Sequence, residues 1–346
     1  MEKIGVIFGG DSPEYEVSLE SAYSVLEALD QERYEILKIG ITRDGDWYYF
    51  TGENKDIKED HWFIFEKCER IFLDTNKRGF FLLDRQKYLK VDVLFPVLHG
   101  GSGEDGQIQG IFEMIKLPYV GCNTLASAIC MDKAILHYLA KSLKIMVTPS
   151  IQVSAKNYKM QKIYDFYNKV SSPVFVKPKC GGSSKGISKV CDFSKLKTAL
   201  KKAAKFDKVI TIEKAVAGFE VGCGILGNEE LLVGELDEIE LASDFFDYTE
   251  KYQLLSAKIV LPARISAKIA DRVKKYAKHL YQFLGCTGLA RIDFFITFDE
   301  EIYLNEINTM PGFTNHSRFP SMMRAIGISY KNLVERLIDL AKEEQT

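Results

Sequence analysis

Two apolar runs that lead directly into glycines constrain most strongly how this chain can fold. Residues 4–10 read IGVIFGG, and residues 91–106 read VDVLFPVLHGGSGEDG. A short apolar run followed by a glycine turn is typical of a strand buried in a parallel sheet. Apolar residues recur at helical spacing over 14–29, so a helix is expected after the first run. The pattern predicts an α/β fold that begins with an open parallel-sheet domain over residues 1–120.

Two further domains are predicted downstream. Residues 121–215 are lysine-rich and helical in pattern, interrupted by PVFVKP and GGSSKG, whereas residues 216–346 begin with strand-like segments. In this last part a helix over 266–284 precedes two strand candidates, 290–297 and 301–308. We therefore expect a central domain over 121–215 and a C-terminal domain over 216–346.

The composition limits the functions open to the chain. Its 346 residues carry 46 Lys and Arg against 48 Asp and Glu, a net charge of −2, so general binding of nucleic acid is not expected. No apolar run approaches the roughly 18 residues that span a bilayer, and the first residues lack the order of a signal peptide. The seven cysteines are scattered without a C-x-x-C pair, which is typical of reduced thiols. We expect a cytoplasmic protein that binds neither nucleic acid nor membrane.

Two strand candidates carry a set of polar residues that suits a metal ion. Arg291 and Asp293 project to one face of the first strand, and Glu306 and Asn308 share a face of the second. If the strands pair, two carboxylates and an amide oxygen converge, which are ligands that Mg²⁺ prefers. The alternative is an ordinary polar sheet face, but the surrounding residues are apolar and unpaired buried carboxylates are costly. The sequence predicts a magnesium site.

The stretch GGSSKG over residues 181–186 is a candidate phosphate loop. Its glycine N–H groups and serine hydroxyls could contact phosphate oxygens, or the stretch could be an ordinary hairpin tip. Lys177 lies in the apolar run VFVKP, where an ammonium without a partner would be expensive. Lys133 is either a second phosphate contact or a surface residue.

Three other candidates keep alternative interpretations. His99 precedes a glycine-rich loop and could be a general base, a ligand or a histidine satisfied by loop contacts. Glu213 and Glu220 flank Gly218 at a strand edge and could bind ribose or lie at the surface. Residue spacing alone does not decide among these roles.

With these motifs in order, the chain resembles the D-alanine–D-alanine ligase family of ATP-grasp enzymes, which includes the D-Ala–D-X ligases of vancomycin resistance. The resemblance runs essentially end to end and implies an ATP-grasp fold behind a Rossmann-like N-terminal domain. The segments that carry it are FGGDSPEYEVSLESA, FPVLHGGSGEDGQIQG, LPYVGC, ASAICMDK, VFVKPKCGGSSKGISKV, GFEVGCGILG, FFDYTEKY and ARIDFF with YLNEINTMPGFTNHSRFP.

The resemblance implies where the first substrate binds. Glu16 would hold the ammonium of the first D-alanine, with Ser183 and Tyr252 linked to it by hydrogen bonds across the closed site. His99 would lie near the same substrate. Tyr15 stands where relatives usually carry His or Arg between two glutamates, and this departure makes it a candidate for influencing the choice of second substrate.

The resemblance also implies how ATP is held. Lys133 and Lys177 would contact its phosphates, and Ser184 would belong to the phosphate-binding loop. Glu213 and Glu220 would lie at the adenine–ribose end.

Metal and charge stabilisation follow from the same resemblance. Asp293, Glu306 and Asn308 would bind two Mg²⁺ ions, for which Mn²⁺ could substitute. Arg291 and the N–H of Gly312 would stabilise negative charge that develops on the transferred carboxyl oxygen.

A lid is expected because the reaction passes through a water-sensitive intermediate. A carboxylate is a poor electrophile, so D-alanine must first be phosphorylated, and the acyl phosphate would hydrolyse in water. The loop over residues 243–256 is the candidate lid, and Lys251 within it would engage the γ-phosphate. The amine of the second substrate then attacks and phosphate leaves.

The second substrate is expected to be D-serine. Ser317 would hold its carboxylate, and Arg318 stands where D-Ala–D-Ala ligases usually have an apolar residue but D-Ala–D-Ser ligases also have Arg. A guanidinium could donate to a serine hydroxyl. The alternatives are that Arg318 turns outward to a carboxylate, and that the second substrate is another D-alanine. D-lactate is not expected, since ligases of that specificity resemble one another in having His where Tyr252 stands.

Different classes of function are less consistent with these residues. A nucleotide-binding regulatory module that has lost catalysis would be expected to have lost Arg291, Asp293, Glu306 or Asn308, and all four are present. A nucleic-acid-binding role has only the lysines of 195–208 behind it, and these are most simply the solvated face of a helix. The resemblance implies a homodimer.

Overall fold

The strands form three sheets in the part of the chain that the computed structural model describes, residues 1–171, 173–179, 186–241 and 257–343. The first sheet contains β1 (Glu2–Gly9), β2 (Tyr34–Ile41), β3 (Trp47–Phe50), β4 (Cys68–Asp74), β5 (Gly79–Leu82), β6 (Lys87–Lys90) and β7 (Val93–Pro96). The second contains β9 (Ser150–Ser154), β10 (Val174–Pro178), β11 (Ser188–Val190) and β12 (Val209–Lys214). The third contains β8 (Met146–Val147), β13 (Gly218–Leu226), β14 (Leu232–Val233), β15 (Asp237–Leu241), β16 (Ala257–Val260), β17 (Leu289–Thr297) and β18 (Ile302–Asn308).

Helices cover the faces of these sheets. They are α1 (Tyr15–Ala28), α2 (Asn54–Lys58), α3 (Gln107–Met114), α4 (Thr124–Met131), α5 (Lys133–Ser142), α6 (Met160–Val170), α7 (Leu196–Ala203), α8 (Ala267–Phe283), α9 (Arg318–Ala325) and α10 (Tyr330–Glu343), with short 3₁₀ turns at Phe65–Lys67, Gly101–Gly103 and Phe193–Lys195. Within the described ranges, none of them combines the length and the apolar character that crossing a membrane requires.

The first sheet has a parallel centre, as the glycine-ended runs predict. Its strand order is β6-β5-β4-β3-β2-β1-β7, and β1 pairs in parallel with both β2 and β7. The strands β3 to β6 extend it in antiparallel fashion. β1 is buried on both faces, because Val6 and Phe8 pack against α1 and Ile7 packs against α3.

The helix α10 completes the core of this first sheet. Leu337 is fully buried in the cluster that also contains the side chains of β1. At the edges of this contact Lys331 binds Asp30 at 2.9 Å and Lys342 binds Glu2 at 3.2 Å. This last described helix therefore packs against α1 and against β7 of the first sheet.

The second sheet is antiparallel, with the order β11-β10-β12-β9. β10 and β11 pair as a hairpin, so the two extended segments predicted on either side of residues 181–186 are confirmed. The helix predicted over 195–208 is present as α7 but ends at Ala203, and its Leu196 and Leu200 are buried against this sheet.

The third sheet has one apolar face and one polar face at its centre. The strands run in the order β16-β15-β13-β17-β18-β8, and α8 packs behind β13 and β17. Ile292 and Phe294 of β17 belong to the apolar cluster with α8. Because side chains alternate along a strand, Arg291 and Asp293 project to the opposite face. The predicted helix over 266–284 and the two strands after it are confirmed.

Candidate active site

The four polar side chains predicted to meet on two strands do so. β17 and β18 are antiparallel neighbours, with Arg291 opposite Asn308 and Asp293 opposite Glu306. Arg291 donates from Nε and Nη2 to Asp293 at 2.9 and 2.8 Å, and Asn308 Nδ2 donates to Asp293 Oδ2 at 2.9 Å. Asp293 is 1% exposed. The predicted meeting of these side chains on facing strands is confirmed, with the amide nitrogen of Asn308, and not its oxygen, directed at Asp293.

Arg318 reaches the same cluster from the first turn of α9. Its Nε and Nη2 donate to the two carboxylate oxygens of Asp237 at 2.8 and 2.7 Å, and its Nη1 donates to Glu220 Oε1 at 3.0 Å. The side chain of Arg318 is 12% exposed, and that of Asp237 is fully buried. Arg318 therefore turns inward, contrary to the outward alternative, and the carboxylates it pairs with lie inside the site.

Gly222 provides the space in which this guanidinium lies. It sits on β13 directly opposite Asp237 of β15, and its N–H donates to Asp237 Oδ1 at 3.2 Å. A Cβ atom at Gly222 would be 2.4 Å from Arg318 Nη2 and 2.6 Å from Asp237 Oδ1. Any side chain here would collide with the buried pair, so the ion pair depends on glycine.

A second buried group joins two lysines to two glutamates. Lys133, the first residue of α5, lies 2.5 Å from Glu306, and Lys177 pairs closely with Glu213. Thr148 donates to Glu213 at 2.5 Å. Burial opposes ionisation of Glu213, but the ammonium groups of Lys177 and Lys133 outweigh it and lower the pKa of this carboxyl to about 2. Lys177 thus has the buried partner that its apolar strand requires.

The cluster around Asp293 contains more acidic than basic side chains. Burial, and then the carboxylate of Asp293, raise the pKa of Glu220 to about 7. A bound cation would relieve such an excess, and Asp293, Glu306 and Asn308 offer the oxygen donors that Mg²⁺ prefers. The residues present therefore fit a magnesium site. Among described side chains, the acids of the cluster are Asp237, Glu220, Asp293 and Glu306, and the bases that contact them are Arg291, Arg318 and Lys133.

Glu16 lies in the first turn of α1. Its side chain is 66% exposed and accepts a hydrogen bond from Arg43 Nη2 at 2.7 Å. The neighbouring Tyr15 is buried, and its hydroxyl accepts from Trp62 Nε1 at 2.8 Å and donates to Asp60 at 3.3 Å. Tyr15 therefore makes its contacts inside the N-terminal domain.

His99 connects α1 to the segment after β18. Its Nε2 lies 2.9 Å from Ser21 Oγ and its Nδ1 lies 3.3 Å from the carbonyl oxygen of Met310, and the side chain is buried. Both ring nitrogens are bonded to the protein. Of the roles left open by the sequence, these contacts favour a histidine satisfied by loop contacts.

Ser317 and Gly312 lie next to each other at the start of α9. Ser317 is the N-cap residue of this helix, and its hydroxyl bonds the backbone N–H of Thr314 at 3.0 Å. A Cβ atom at Gly312 would lie 3.3 Å from Ser317 Oγ. The N-terminus of α9 thus presents Ser317 and Arg318 in succession.

Several predicted site residues lie outside the described residues. These are Ser183 and Ser184 of the phosphate-loop candidate, and Lys251 and Tyr252 within the loop over 243–256.

The sequence reasoning did not identify Asp237 or Arg43. Asp237 belongs to the run LDEIEL, where the argument applied to Asp293, a carboxylate in an apolar strand, also applies. Arg43 belongs to a turn with the sequence TRDGD, in which an arginine is ordinary, so no pattern marks it.

Together, the sheets and the charged residues define the class of protein. The four-stranded sheet contributes Lys177 and Glu213, and the larger sheet contributes Asp293 and Glu306, so that basic and acidic groups of two sheets join one site. This is an ATP-grasp enzyme, the fold of its structural neighbours.

The chain belongs to the D-alanine–D-alanine ligase family, which consists of ATP-dependent ligases. The family model described as D-ala D-ala ligase N-terminus matches residues 3–122, and the one described as D-ala D-ala ligase C-terminus matches residues 139–339. The predicted family, fold and enzyme class are confirmed.

Similar proteins cover the whole chain. The vancomycin C-type resistance protein VanC1 of Enterococcus gallinarum is 49% identical over 346 residues, covering 100% of both chains. The crystal structure of VanG D-Ala:D-Ser ligase from Enterococcus faecalis matches with a TM-score of 0.91 at 45% identity, covering 98% of this chain and 99% of that one. The D-alanine–D-alanine ligase from Bacillus anthracis complexed with ATP matches with a TM-score of 0.75 at 27% identity, covering 100% and 99%.

Proposed function

We propose that this chain is a vancomycin-resistance-type D-alanine–D-serine ligase. It joins D-alanine to D-serine through a D-alanyl phosphate intermediate, for the synthesis of peptidoglycan precursors. The observation that carries the choice of D-serine is the inward, carboxylate-bound position of Arg318 beside Ser317. The similarity to VanC1 and to VanG D-Ala:D-Ser ligase supports it.

The contacts of Arg318 suit a hydroxyl-bearing second substrate. Three of its five N–H groups bond Asp237 and Glu220 in the described residues, and its Nη2 also lies 3.6 Å from Asp293 Oδ1. At most two N–H groups therefore remain for another acceptor. These carboxylates also fix the guanidinium, so little entropy is lost when it meets a ligand. A site built around a hydroxyl disfavours D-alanine, because its polar groups would then stay unpaired.

Ser317 would hold the carboxylate of the second substrate. It caps α9, and the backbone N–H groups at a helix N-terminus favour negative charge. Arg318 is the next residue, so its guanidinium could donate to the hydroxyl of a substrate whose carboxylate Ser317 holds.

The remaining site residues position and neutralise the reacting groups. We assign the first-substrate ammonium to Glu16, and the ATP phosphates to Lys133, Lys177 and Ser184. Arg291, held by Asp293, and the N–H of Gly312 stabilise charge on the transferred carboxyl. The other assigned residues are His99, Ser183, Tyr252 and Lys251 near the substrates and γ-phosphate, and Glu213 and Glu220 toward the ribose.

Asp293, Glu306 and Asn308 would hold two Mg²⁺ ions. When bound, the metal neutralises phosphate oxygens during phosphoryl transfer. The excess of buried acid and the facing positions of these three residues on β17 and β18 support this assignment.

The assembly and location of the enzyme follow the same proposal. We infer a homodimer. The consecutive helices α3, α4 and α5 carry exposed apolar side chains, among them Met114, Leu125 and Tyr138, and these support a contact surface on this part of the chain. A ligase that consumes ATP works where ATP is made, which supports a cytoplasmic location. We also retain three domains, over 1–120, 121–215 and 216–346.

The test is a competition between second substrates. The purified enzyme receives ATP, Mg²⁺ and D-alanine with D-serine, D-alanine or D-lactate, and the products are resolved by mass. We expect D-Ala–D-Ser in large excess, and the Arg318→Leu variant should lower the ratio of D-Ala–D-Ser to D-Ala–D-Ala by at least about tenfold.

The second candidate is a housekeeping D-alanine–D-alanine ligase, which the family description favours. It predicts that D-Ala–D-Ala dominates in the wild type and that Arg318→Leu leaves the product ratio unchanged. Arg318→Lys is the matched variant, since it keeps the positive charge beside Asp237 but loses the planar fork. Absence of phosphate release with D-serine, D-alanine and D-lactate alike would contradict the assignment of ligase activity.

A further inference from the structure

Arg43 forms an ion pair with Glu16. It follows β2 by two residues, and its Nη2 lies 2.7 Å from Glu16 Oε1. Its guanidinium carbon lies 3.8 Å from the centroid of the Tyr15 ring, which places the cation over the aromatic face. A second carboxylate, that of Asp60, lies 3.8 Å from the same Nη2.

The ring beneath Arg43 is itself fixed. Tyr15 is 4% exposed, and its hydroxyl is held by Trp62 and Asp60. Trp62 is completely buried, and a Cβ atom at Gly40 would lie 2.3 Å from its indole ring, so that Gly40 is needed for its position. The support under Arg43 therefore extends into the core of the N-terminal domain.

The side chain of Glu16 is largely exposed, so packing alone does not fix its orientation. A carboxylate that is two-thirds exposed samples several rotamers, and ordering it costs free energy when a substrate binds. Exposed Arg–Glu pairs seldom fix each other, because both side chains lose entropy. Stacking on the buried Tyr15 ring orders Arg43 in advance, so its contact can hold Glu16 in one orientation.

We propose that Arg43, stacked on Tyr15, is a positioning residue that orients Glu16 for the ammonium of the first substrate. The inference rests on the proposed assignment of Glu16 to that ammonium. Arg43 itself does not contact the reacting atoms. It acts on the affinity for the first D-amino acid and leaves binding of the second one and of ATP unchanged.

The two amino-acid sites can be measured separately. Formation of mass-resolved D-Ala–D-Ser is followed while D-alanine is varied at saturating D-serine, and then while D-serine is varied at saturating D-alanine. The first series gives the KM of the first site and the second series that of the second site. Thermal unfolding of each variant reports its stability.

Arg43→Ala is expected to raise the first-site KM about fivefold, with the second-site KM and the ATP KM unchanged and the Tm lowered by only a few degrees. Arg43→Lys keeps the charge but loses the planar stack, so its first-site KM should fall between those of wild type and Arg43→Ala. A value for Arg43→Lys at either end of that interval would overturn the combined role of charge and stacking. An unchanged first-site KM in Arg43→Ala, or a parallel rise of all three KM values, would overturn the inference.

Arg70→Ala is the matched control. Arg70 lies in the same domain, is 46% exposed against 51% for Arg43, and pairs with Asp46 at 2.5 Å. Its removal should leave all three KM values unchanged. A first-site effect equal to that of Arg43→Ala would show that any lost surface arginine has this consequence and would overturn the inference.

Glu16→Gln separates this inference from the proposed function. It should raise the first-site KM more than Arg43→Ala does, and Arg43→Ala should add nothing further in the Glu16→Gln background. If Glu16→Gln raises the KM and Arg43→Ala does not, only the role of Arg43 is wrong. If Glu16→Gln has no effect, the assignment of Glu16 is wrong and the inference falls with it. If wild type makes no dipeptide, the proposed function fails before any variant is compared.

Discussion

Arg318 and Arg43 each bind carboxylates, but in opposite surroundings. Arg318 is 12% exposed and its partner Asp237 is fully buried, whereas Arg43 is 51% exposed and its partner Glu16 is 66% exposed. Both pairs have hydrogen bonds of 2.7 Å. From this difference we expect burial, more than bond length, to decide how much stability is lost when one partner of an ion pair is removed.

The largest effect is expected from breaking the buried pair. Arg318→Met would leave Asp237, Glu220 and Asp293 without their shared cation, and should lower the free energy of unfolding by about 3–5 kcal/mol. Urea unfolding of the purified variant measures this loss.

Arg264→Met is the control for that experiment. Arg264 also donates to two acids, Glu238 and Glu240, but is 54% exposed. Its loss should cost far less stability than the loss of Arg318, because solvent screens an exposed pair. Equal losses in the two variants would mean that exposure does not govern these pairs.

An intermediate effect is expected at Glu213, with a defined pH dependence. Its pKa of about 2 lies below the ordinary 4.5, so folding favours the ionised form. The resulting stability is complete above about pH 4.5 and is lost as the pH falls towards about 2. Glu213→Gln should cost about 2 kcal/mol at neutral pH, and the gap to wild type should close on acidification. Urea titrations at several pH values measure it; a gap that widened at low pH would contradict the sign.

The smallest effect on stability is expected for Arg43. Arg43→Met removes an exposed ion pair and a cation–π contact, and should change the free energy of unfolding by about 1 kcal/mol or less. The same urea assay detects it. A loss of stability as large as that of Arg318→Met would show that the pair of Arg43 and Glu16 supports the fold. The two arginines would then not differ in this respect.

Much of the fold follows from short-range patterns in the sequence. The glycine-ended run at β1 and the helical spacing of α1 and α8 specify these elements, because burial on one or both faces requires those periods. The alternation of Arg291 and Asp293 with apolar residues also places them on one face, and pairing with β18 completes the predicted cluster.

Contacts between distant segments could not be predicted from such patterns. Asp237 and Arg318 are 81 residues apart, and only the pairing of β13 with β15 and the position of α9 bring them together. Arg43 lies in a turn and contacts Glu16 because β2 neighbours β1 in the sheet. Such partners follow from topology, which a local pattern does not encode.

The position of α10 has a consequence for how the chain acquires its structure during synthesis. The contacts of Lys331 with Asp30 and of Lys342 with Glu2 join segments that lie more than 300 residues apart. The core that α1 and α10 share is therefore complete only after residues 330–343 have been synthesised. Until then part of the apolar surface of α1 and β7 stays uncovered, and such surface makes partly folded chains prone to aggregation.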